Sequence, residues 1–478
     1  MKPFEVVVAI RQLVVGRRAL PTAHLPLSST ALGLTTPLPP DKVGTFGLPL
    51  SSTALGLTTL LLLPLLLALP ACRTQKRAVV RDNFSWLYGP DANTLKLDAR
   101  VYHASEERTV VYFKLRTADL LYKSDGQGGP YRSNVRITYA AYADRKCTQL
   151  LDSAGTMVRD QAGTPGEDKD LIGSMELRRT SSRTFHLLVT ARDLHRETAS
   201  SVLIPIEGEN EGHRQNFLPE DPATGLPWFS DHLPGPRTLR VRCERYAGRT
   251  LTCTHHTPQD RLPAPVFATS ANTPADPKND SAFTVVVAAD GTFPLDARRS
   301  GFYHVRADSS TATGFTLFVL DDTYPLVRTG NDMLSPLRYI TSMQEHDKLR
   351  SAPDVRKAVE RFWTDANGNR DRAREAIATY YGRVESANRH FTGSTEGWKS
   401  DRGLVHIIFG TPNNIQLGEY GETWVYGEDA NMMSLSFTFT KRTGPYSDND
   451  LALDRDPAFK GAWYRNVESW RNGRIRGN

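Results

Sequence analysis

The stretch EGWKSDRGLVHIIFGTPNN, Glu396 to Asn414, decides how the C-terminal third of this chain is read. A tryptophan and a run of polar residues stand just ahead of an apolar segment. Two accounts compete for them. Lys399 and Ser400 are adjacent, and a Ser–Lys pair can supply nucleophile and base. Adjacent side chains seldom point at one another, however, and no third group is evident. A structural corner is the simpler account. Gly397 lets the chain turn, Trp398 buries a large ring against a sheet and a helix pair, and Ser400 or Asp401 accepts backbone N–H groups. Arg402 would pair with a carboxylate, and Gly403 would admit close packing where LVHIIFG begins a strand. No catalytic residue is assigned.

Upstream of this corner the hydrophobic period is 3.6. In APDVRKAVERFWTDAN, Val355, Ala358, Val359 and Phe362 share one face. In RDRAREAIATYYGRVESANRHF, Ala373, Ile377, Tyr380, Val384, Ala387 and Phe391 share another. Two amphipathic helices follow from this pattern, separated at Asn367-Gly368-Asn369. Downstream, ETWVYGE and SLSFTFTK read as strands, and Trp463, Val467 and Trp470 are spaced for a short helix that caps a sheet. Residues 334–478 are therefore expected to be an α+β unit, two helices and then an antiparallel meander.

Further toward the N-terminus the period is two. Leu95, Leu97, Ala99 and Val101 alternate, as do Val111, Phe113 and Leu115, and Val135, Ile137, Tyr139 and Ala141. Short strands between Gly, Asp and Asn clusters predict a β-sandwich-like module over 94–207, with DQAGTPGEDKD as a loop. Residues 208–236 are rich in Pro and Gly and read as a connection. Residues 237–333 look β again, so the whole is expected to be multidomain and mainly β with a C-terminal α+β domain. TLRVRCERY and RTLTCTHH suggest a hairpin about Ala247-Gly248-Arg249. A three-residue loop there sets Tyr246 opposite Thr250 and Cys243 opposite Cys253, the register of a cross-strand disulfide; a two-residue loop would shift it by one. Cys147 is left as a buried free thiol. His255 and His256 point to opposite faces of a strand and are expected to be exposed.

The only long apolar run, LLLLPLLLALPAC, ends at Cys72. It is short for a bilayer span and suits the core of a signal peptide. Leu69-Pro70-Ala71-Cys72 resembles the lipobox of bacterial lipoproteins, which implies cleavage before Cys72 and lipidation of its sulfur. LPLSSTALGLTT occurs twice, at 25–36 and 48–59, and 72 residues is long for a leader, so translation is expected to start downstream, near Val43. Residues 1–71 are thus read as leader and 72–93 as a lipidated tether.

Composition narrows the function classes. The chain has 478 residues, 39% hydrophobic and 23% charged, as in globular proteins. Its net charge of +6 falls to +3 once the five basic and two acidic residues up to Cys72 are set aside. A small excess spread along the chain is no footprint of a nucleic-acid binder. The four cysteines form no zinc-ligand spacing, and no nucleotide, hydrolase-elbow or metalloprotease motif occurs. Asp321-Asp322 and SDNDLALDRD lack the spacing of a calcium loop. No cofactor and no metal are expected.

With these residues in view, GWKSDRGLVHIIFGTPNNI resembles the signature of the GWxTD-domain family of bacterial exported proteins. Gly397, Trp398, Asp401, Arg402 and Gly403 match; Ser400 stands where the family has Thr, and keeps the hydroxyl. PLRYITSMQE, RFWTDANGN and YYGRVESANRHF also resemble what precedes the motif there. The resemblance implies no known activity, since the family is functionally uncharacterised. Together with the leader it leads us to expect an outer-membrane lipoprotein facing the periplasm, anchored at Cys72, that binds or scaffolds an envelope protein or glycan. An envelope hydrolase of peptide or glycan, with its site near Gly397 to Asp401, is the alternative.

Overall fold

Alternating side chains build the first module, as the period of two predicts. In the computed structural model, which describes residues 11–12, 83–89, 95–124, 126, 128–163, 168–178, 184–208, 212–257, 261–269, 277–307, 312–428, 431, 433–442 and 444–474, two antiparallel sheets face each other here. One has the order β1-β6-β3-β2, with β2 Leu97–His103, β3 Arg108–Arg116, β6 Asp170–Arg178 and a two-residue β1, Arg11–Gln12, at its edge. The other has the order β5-β4-β7-β8, with β4 Tyr131–Tyr142, β5 Leu150–Ala162, β7 Phe185–Asp193 and β8 Ala199–Ile206. Val111, Phe113 and Leu115 meet Val135, Ile137, Tyr139, Leu187 and Val189 in one core. β5 runs on through Ala162, into what the sequence suggested was loop.

The second module pairs a five-stranded sheet, β10-β16-β15-β12-β13, with a three-stranded one, β14-β11-β9. Its strands are β9 Leu218–Glu220, β10 His232–Pro234, β11 Arg237–Arg242, β12 Thr250–Thr257, β13 Lys278–Val286, β14 Thr292–Ala297, β15 Gly301–Arg306 and β16 Phe315–Leu320. Residues 208–236 are therefore more than a connection, because they give one strand to each sheet.

The expected hairpin is not formed. β11 pairs with β14 and β9, whereas β12 pairs with β13 and β15. After Arg242 the chain makes a 3-10 turn, Glu244–Tyr246, and crosses to the other sheet, with Gly248 at φ +76°. Cys253 lies opposite Phe283 and Val305. The register that suggested a disulfide is thus absent, and Cys243 and Cys253 are free thiols in the shared core, each pushed up to about 12 by burial. Cys147 is free and partly buried, and His255 and His256 are buried rather than exposed.

Helix signals dominate the third module. Thr329 and Ser342 form capping boxes with Asp332 and Glu345 ahead of α1 Gly330–Leu334 and α2 Met343–Arg350. α3 Val355–Asn367 stops at Gly368, at φ +73°, and Asn369 caps α4 Arg370–Phe391. The apolar run after the motif corrects the sequence reading: it is a helix, α5 Asp401–Phe409, not a strand. A four-stranded meander follows in the order β17-β18-β19-β20, with β17 Asn414–Leu417, β18 Gly421–Tyr426, β19 Leu435–Lys441 and β20 Leu451–Leu453. α6 Phe459–Arg471 packs Trp470 against Trp363 and Tyr380.

A strap closes this module. Phe84 N donates to Ile415 O (2.9 Å), and Asn83 Nδ2 donates to Asn413 O (2.9 Å) along the outer edge of β17. Phe84 joins the core of the third module, so residues 83–89 are part of it and not a free tether. Cys72 and its apolar run lie outside the described residues. No helix among the described residues is long and apolar enough to cross a membrane.

Candidate functional site

The motif begins where the chain leaves α4 and lies back on it. A Cβ on Gly397 would stand 2.0 Å from Ala387 O, so only glycine fits. Gly397 N donates to Tyr324 Oη (3.1 Å) and Trp398 N to Asn388 Oδ1 (3.0 Å), while Asn388 Nδ2 donates to Pro325 O (3.1 Å). Trp398 is 8% exposed and meets Tyr339 edge-on at 5.9 Å. Tyr339 Oη donates to Trp398 O at 2.7 Å. Lys399 lies over the Trp398 ring and pairs with Glu396 at 3.0 Å.

Ser400 starts α5. Its Oγ accepts from Gly403 N (3.0 Å) and donates to Gly397 O (2.7 Å), a cap on both sides of the corner. A Cβ on Gly403 would stand 2.0 Å from Gly397 O, which is why glycine follows Arg402.

Asp401 and Arg402 then turn in opposite directions into two buried polar clusters. Asp401 accepts from Leu453 N (2.8 Å), Arg455 Nη2 (2.5 Å) and Arg442 Nη2 (3.4 Å). Arg402 lies over the Phe391 ring and donates to Asn449 O (2.8 Å), Asn449 Oδ1 (2.5 Å) and Glu422 Oε1 (3.4 Å). Glu422 gathers three parts of the chain. Its carboxylate also accepts from Tyr88 Oη of the strap (3.1 Å), Arg145 Nη2 of the first module (3.2 Å) and Trp424 Nε1 (3.0 Å). Burial and the Glu422 carboxylate push the Tyr88 phenol well up. Arg145 Nη1 donates to Gly418 O and Gly421 O, both at 2.9 Å, and so seats the first module on the meander.

The groups that catalysis would need do not converge. Lys399 faces Glu396, Ser400 caps a helix, and Asp401 holds arginines. His406 Nε2 meets Ser386 Oγ at 3.2 Å on α4, and burial pushes the ring down to about 3. Arg383 donates to Ile407 O and Ile408 O at the end of α5, and burial lowers it to about 10. Among the described residues no group of three or more His, Cys, Asp or Glu side chains could hold a metal ion.

The five motif residues named from the sequence share one corner, but Asp401 and Arg402 enter separate clusters rather than a common site. Tyr88, Arg145, Asn388, Glu422, Asn449 and Arg455 were not foreseen. A signal existed for one of them: Glu422 occupies the inward position two residues before Trp424, and an acid on the core face of a strand calls for a buried partner.

Two β-modules and a C-terminal α+β unit built on a capped Gly-Trp corner define the class, a multidomain β-rich protein. The profile of the GWxTD domain matches residues 301–472. The chain carries a GWxTD domain, and the match begins within the second β-module, at β15. No curated protein matches the chain. A solved structure described as "Crystal structure of CBD12 from CALX1.2" is similar at 13% identity over 44% of this chain and 93% of that one, with a TM-score of 0.14.

Proposed function

We propose that the protein is a lipid-anchored component of the cell envelope, held at the outer membrane through an acylated Cys72 and facing the periplasm. It binds or scaffolds an envelope protein or glycan and catalyses no reaction. The observation that carries this reading is the use made of the motif's polar groups. Ser400, Asp401 and Arg402 all engage neighbours of the same fold, and the hydroxyl a nucleophile would need is a helix cap. The strap adds support. Ten residues lie between Cys72 and Asn83, and at ~3.3–3.6 Å per residue the span from one to the other is no more than about 40 Å. An anchor at Cys72 would therefore keep the GWxTD domain near the membrane, with the β-modules available as docking surfaces. Two acyl chains suffice to hold a folded chain at a bilayer.

The test uses the full-length protein expressed in a bacterium with an intact envelope. Radiolabelled palmitate should enter the wild type and not Cys72→Ser, and in-cell crosslinking should join the wild type to a defined envelope partner. Equal labelling of both would overturn the anchor. Peptidase or glycosidase activity that vanishes in a folded Ser400→Ala variant would overturn the non-enzymatic reading.

A further inference from the structure

The strap, residues 83–89, sits in the third module as a peptide sits in a receptor. Its described hydrogen bonds to other segments end on Arg402, Thr411, Asn413, Ile415 and Glu422, all within the matched residues 301–472. The Asn83 amide meets the outer edge of β17 as a neighbouring backbone would. Its Nδ2 donates to Asn413 O (2.9 Å) and its Oδ1 accepts from Ile415 N (3.3 Å), while Phe84 N donates to Ile415 O (2.9 Å). Asn83 Oδ1 also accepts from Ser85 N (2.8 Å), a turn the segment makes by itself, and one 3-10 turn, Ser85–Leu87, follows. That turn sets two aromatic anchors four residues apart. Phe84 is 4% exposed and joins the core of the module. The Tyr88 ring lies against His390 (5.5 Å), Phe391 (4.9 Å) and Trp424 (5.7 Å). Its hydroxyl donates to Glu422 Oε1 (3.1 Å) and accepts from Arg402 Nη1 (3.4 Å), and its carbonyl accepts from Thr411 Oγ1 (3.4 Å).

We propose that this groove is a peptide-binding site of the GWxTD domain, that the strap fills it as a tethered ligand, and that an envelope protein enters it through a short segment with an Asn-Phe pair and a Tyr four residues after the Phe. The partner rests on the envelope reading above; the groove does not. Its floor is built without the strap. Glu422 keeps Arg402 (3.4 Å), Arg145 (3.2 Å) and Trp424 Nε1 (3.0 Å) when Tyr88 is gone, and Arg402 keeps Asn449 O (2.8 Å), so emptying the groove strands no buried charge. The β17 side is fixed as well, since Asn413 N donates to Val425 O (2.9 Å) and Gly427 N donates to Asn413 Oδ1 (2.8 Å). The strap contributes what a ligand contributes: two rings, a side-chain amide that imitates main chain, and a turn already organised by that amide. These features select a peptide rather than a glycan. Joined to its own groove, the strap acts at an effective concentration of the order of millimolar, so a partner displaces it by binding more tightly than the strap does.

The test uses the full-length protein in detergent, with residues 90–94, which join the strap to β2, replaced by a protease site. Cutting there leaves the strap held by the groove alone. A fluorescein-labelled peptide of residues 82–90, DNFSWLYGP, is then titrated and followed by anisotropy, with tryptophan fluorescence reporting the fold of the GWxTD domain. The cut protein should take up the peptide roughly 100-fold more tightly than the uncut protein. Peptides carrying Phe84→Ala or Tyr88→Ala should bind at least about 10-fold more weakly than the parent peptide, and soluble peptidoglycan fragments should not displace it. A cut protein that takes up no peptide, whether because the strap never leaves or because the domain unfolds when it does, would overturn the site. Equal binding by the substituted peptides, or displacement by the glycan fragments, would overturn the ligand class. None of these failures touches the anchor at Cys72, which palmitate labelling decides, and an unlabelled Cys72 would leave the peptide result standing.

Discussion

Replacing Asp401 by Asn removes the one charge that faces Arg455 in the motif's first cluster. Both side chains are buried, 4% and 5% exposed. Breaking a buried pair by deleting one partner costs about 3–5 kcal/mol, because the other charge stays behind in a low-dielectric site. Two details move the expectation to the lower end. Arg455 keeps carbonyl acceptors at Ala264 (3.1 Å) and Leu453 (3.3 Å), and the Asn carbonyl can still accept from Leu453 N. Arg442 is 35% exposed and can turn to water, so its loss adds little. We expect about 3 kcal/mol. Urea unfolding followed by tryptophan fluorescence reads it directly, since Trp363, Trp398, Trp424, Trp463 and Trp470 all lie in the third module. With a urea slope of about 2 kcal/mol per molar, the midpoint should fall by about 1.5 M. The double variant D401N/R455M, which removes the stranded cation too, should recover part of the loss. A single-variant midpoint within about 0.3 M of wild type, taken with the same slope, would refute the argument, as would strictly additive effects in the cycle.

Other perturbations have equally definite outcomes. Gly397→Ala places a Cβ 2.0 Å from the Ala387 carbonyl, a backbone atom of α4 that cannot move aside, and should cost the upper end of the ~1–3 kcal/mol of overpacking in the same urea assay. Ser400→Ala should cost about 1 kcal/mol as a lost helix cap, whereas Ser400→Thr keeps the hydroxyl and should stay within about 0.5 kcal/mol of wild type. His406 is neutral and buried, held down at about 3 against an ordinary 6.5. Its contribution is therefore whole above pH 6.5 and is lost as pH falls from there toward 3; at pH 5 the loss is about 2 kcal/mol. His406→Met should reduce the difference in stability between pH 7 and pH 5 by about that amount, and an unchanged difference would show that the ring is accessible to protons in the folded state.

How far the sequence could be read depended on whether each signal was local. The first sandwich was legible because β3, β4 and β7 each keep one apolar face, and alternation is a property of neighbours along the chain. α3 and α4 were legible for the same reason, with Gly368 and Asn369 marking the break. LVHIIFG misled because α5 is buried from Asp401 to Ile408. A helix enclosed on all sides has no polar stripe, so its apolar run cannot be told from a buried strand. Ser400 at its start and Gly410 at its end were the boundary signals that mattered. The Cys243–Cys253 register failed because Ala247-Gly248-Arg249 carries the chain between sheets, and a turn that crosses a sandwich has the same composition as one that closes a hairpin. In the corner, the kinds of role were legible, a ring to bury, a cap, an acid and a base that need partners. The partners were not, since Tyr88, Arg145 and Asn449 come from distant segments.

The strap has a consequence for the order of events during folding. Asn83 and Asn413 are 330 positions apart, yet they are hydrogen bonded, and Phe84 lies against the edge of a sheet made of the last strands. Residues 83–89 are made long before the edge they cover, and closing so long a loop precedes any gain from the contact. Until α4 and β17 exist, Tyr88 and Phe84 have no native surface to meet, while the two β-modules between them can already form as units. The earliest described aromatic cluster of the chain is thus among the last to find its place, and it must be kept from other apolar surfaces through almost the whole of synthesis.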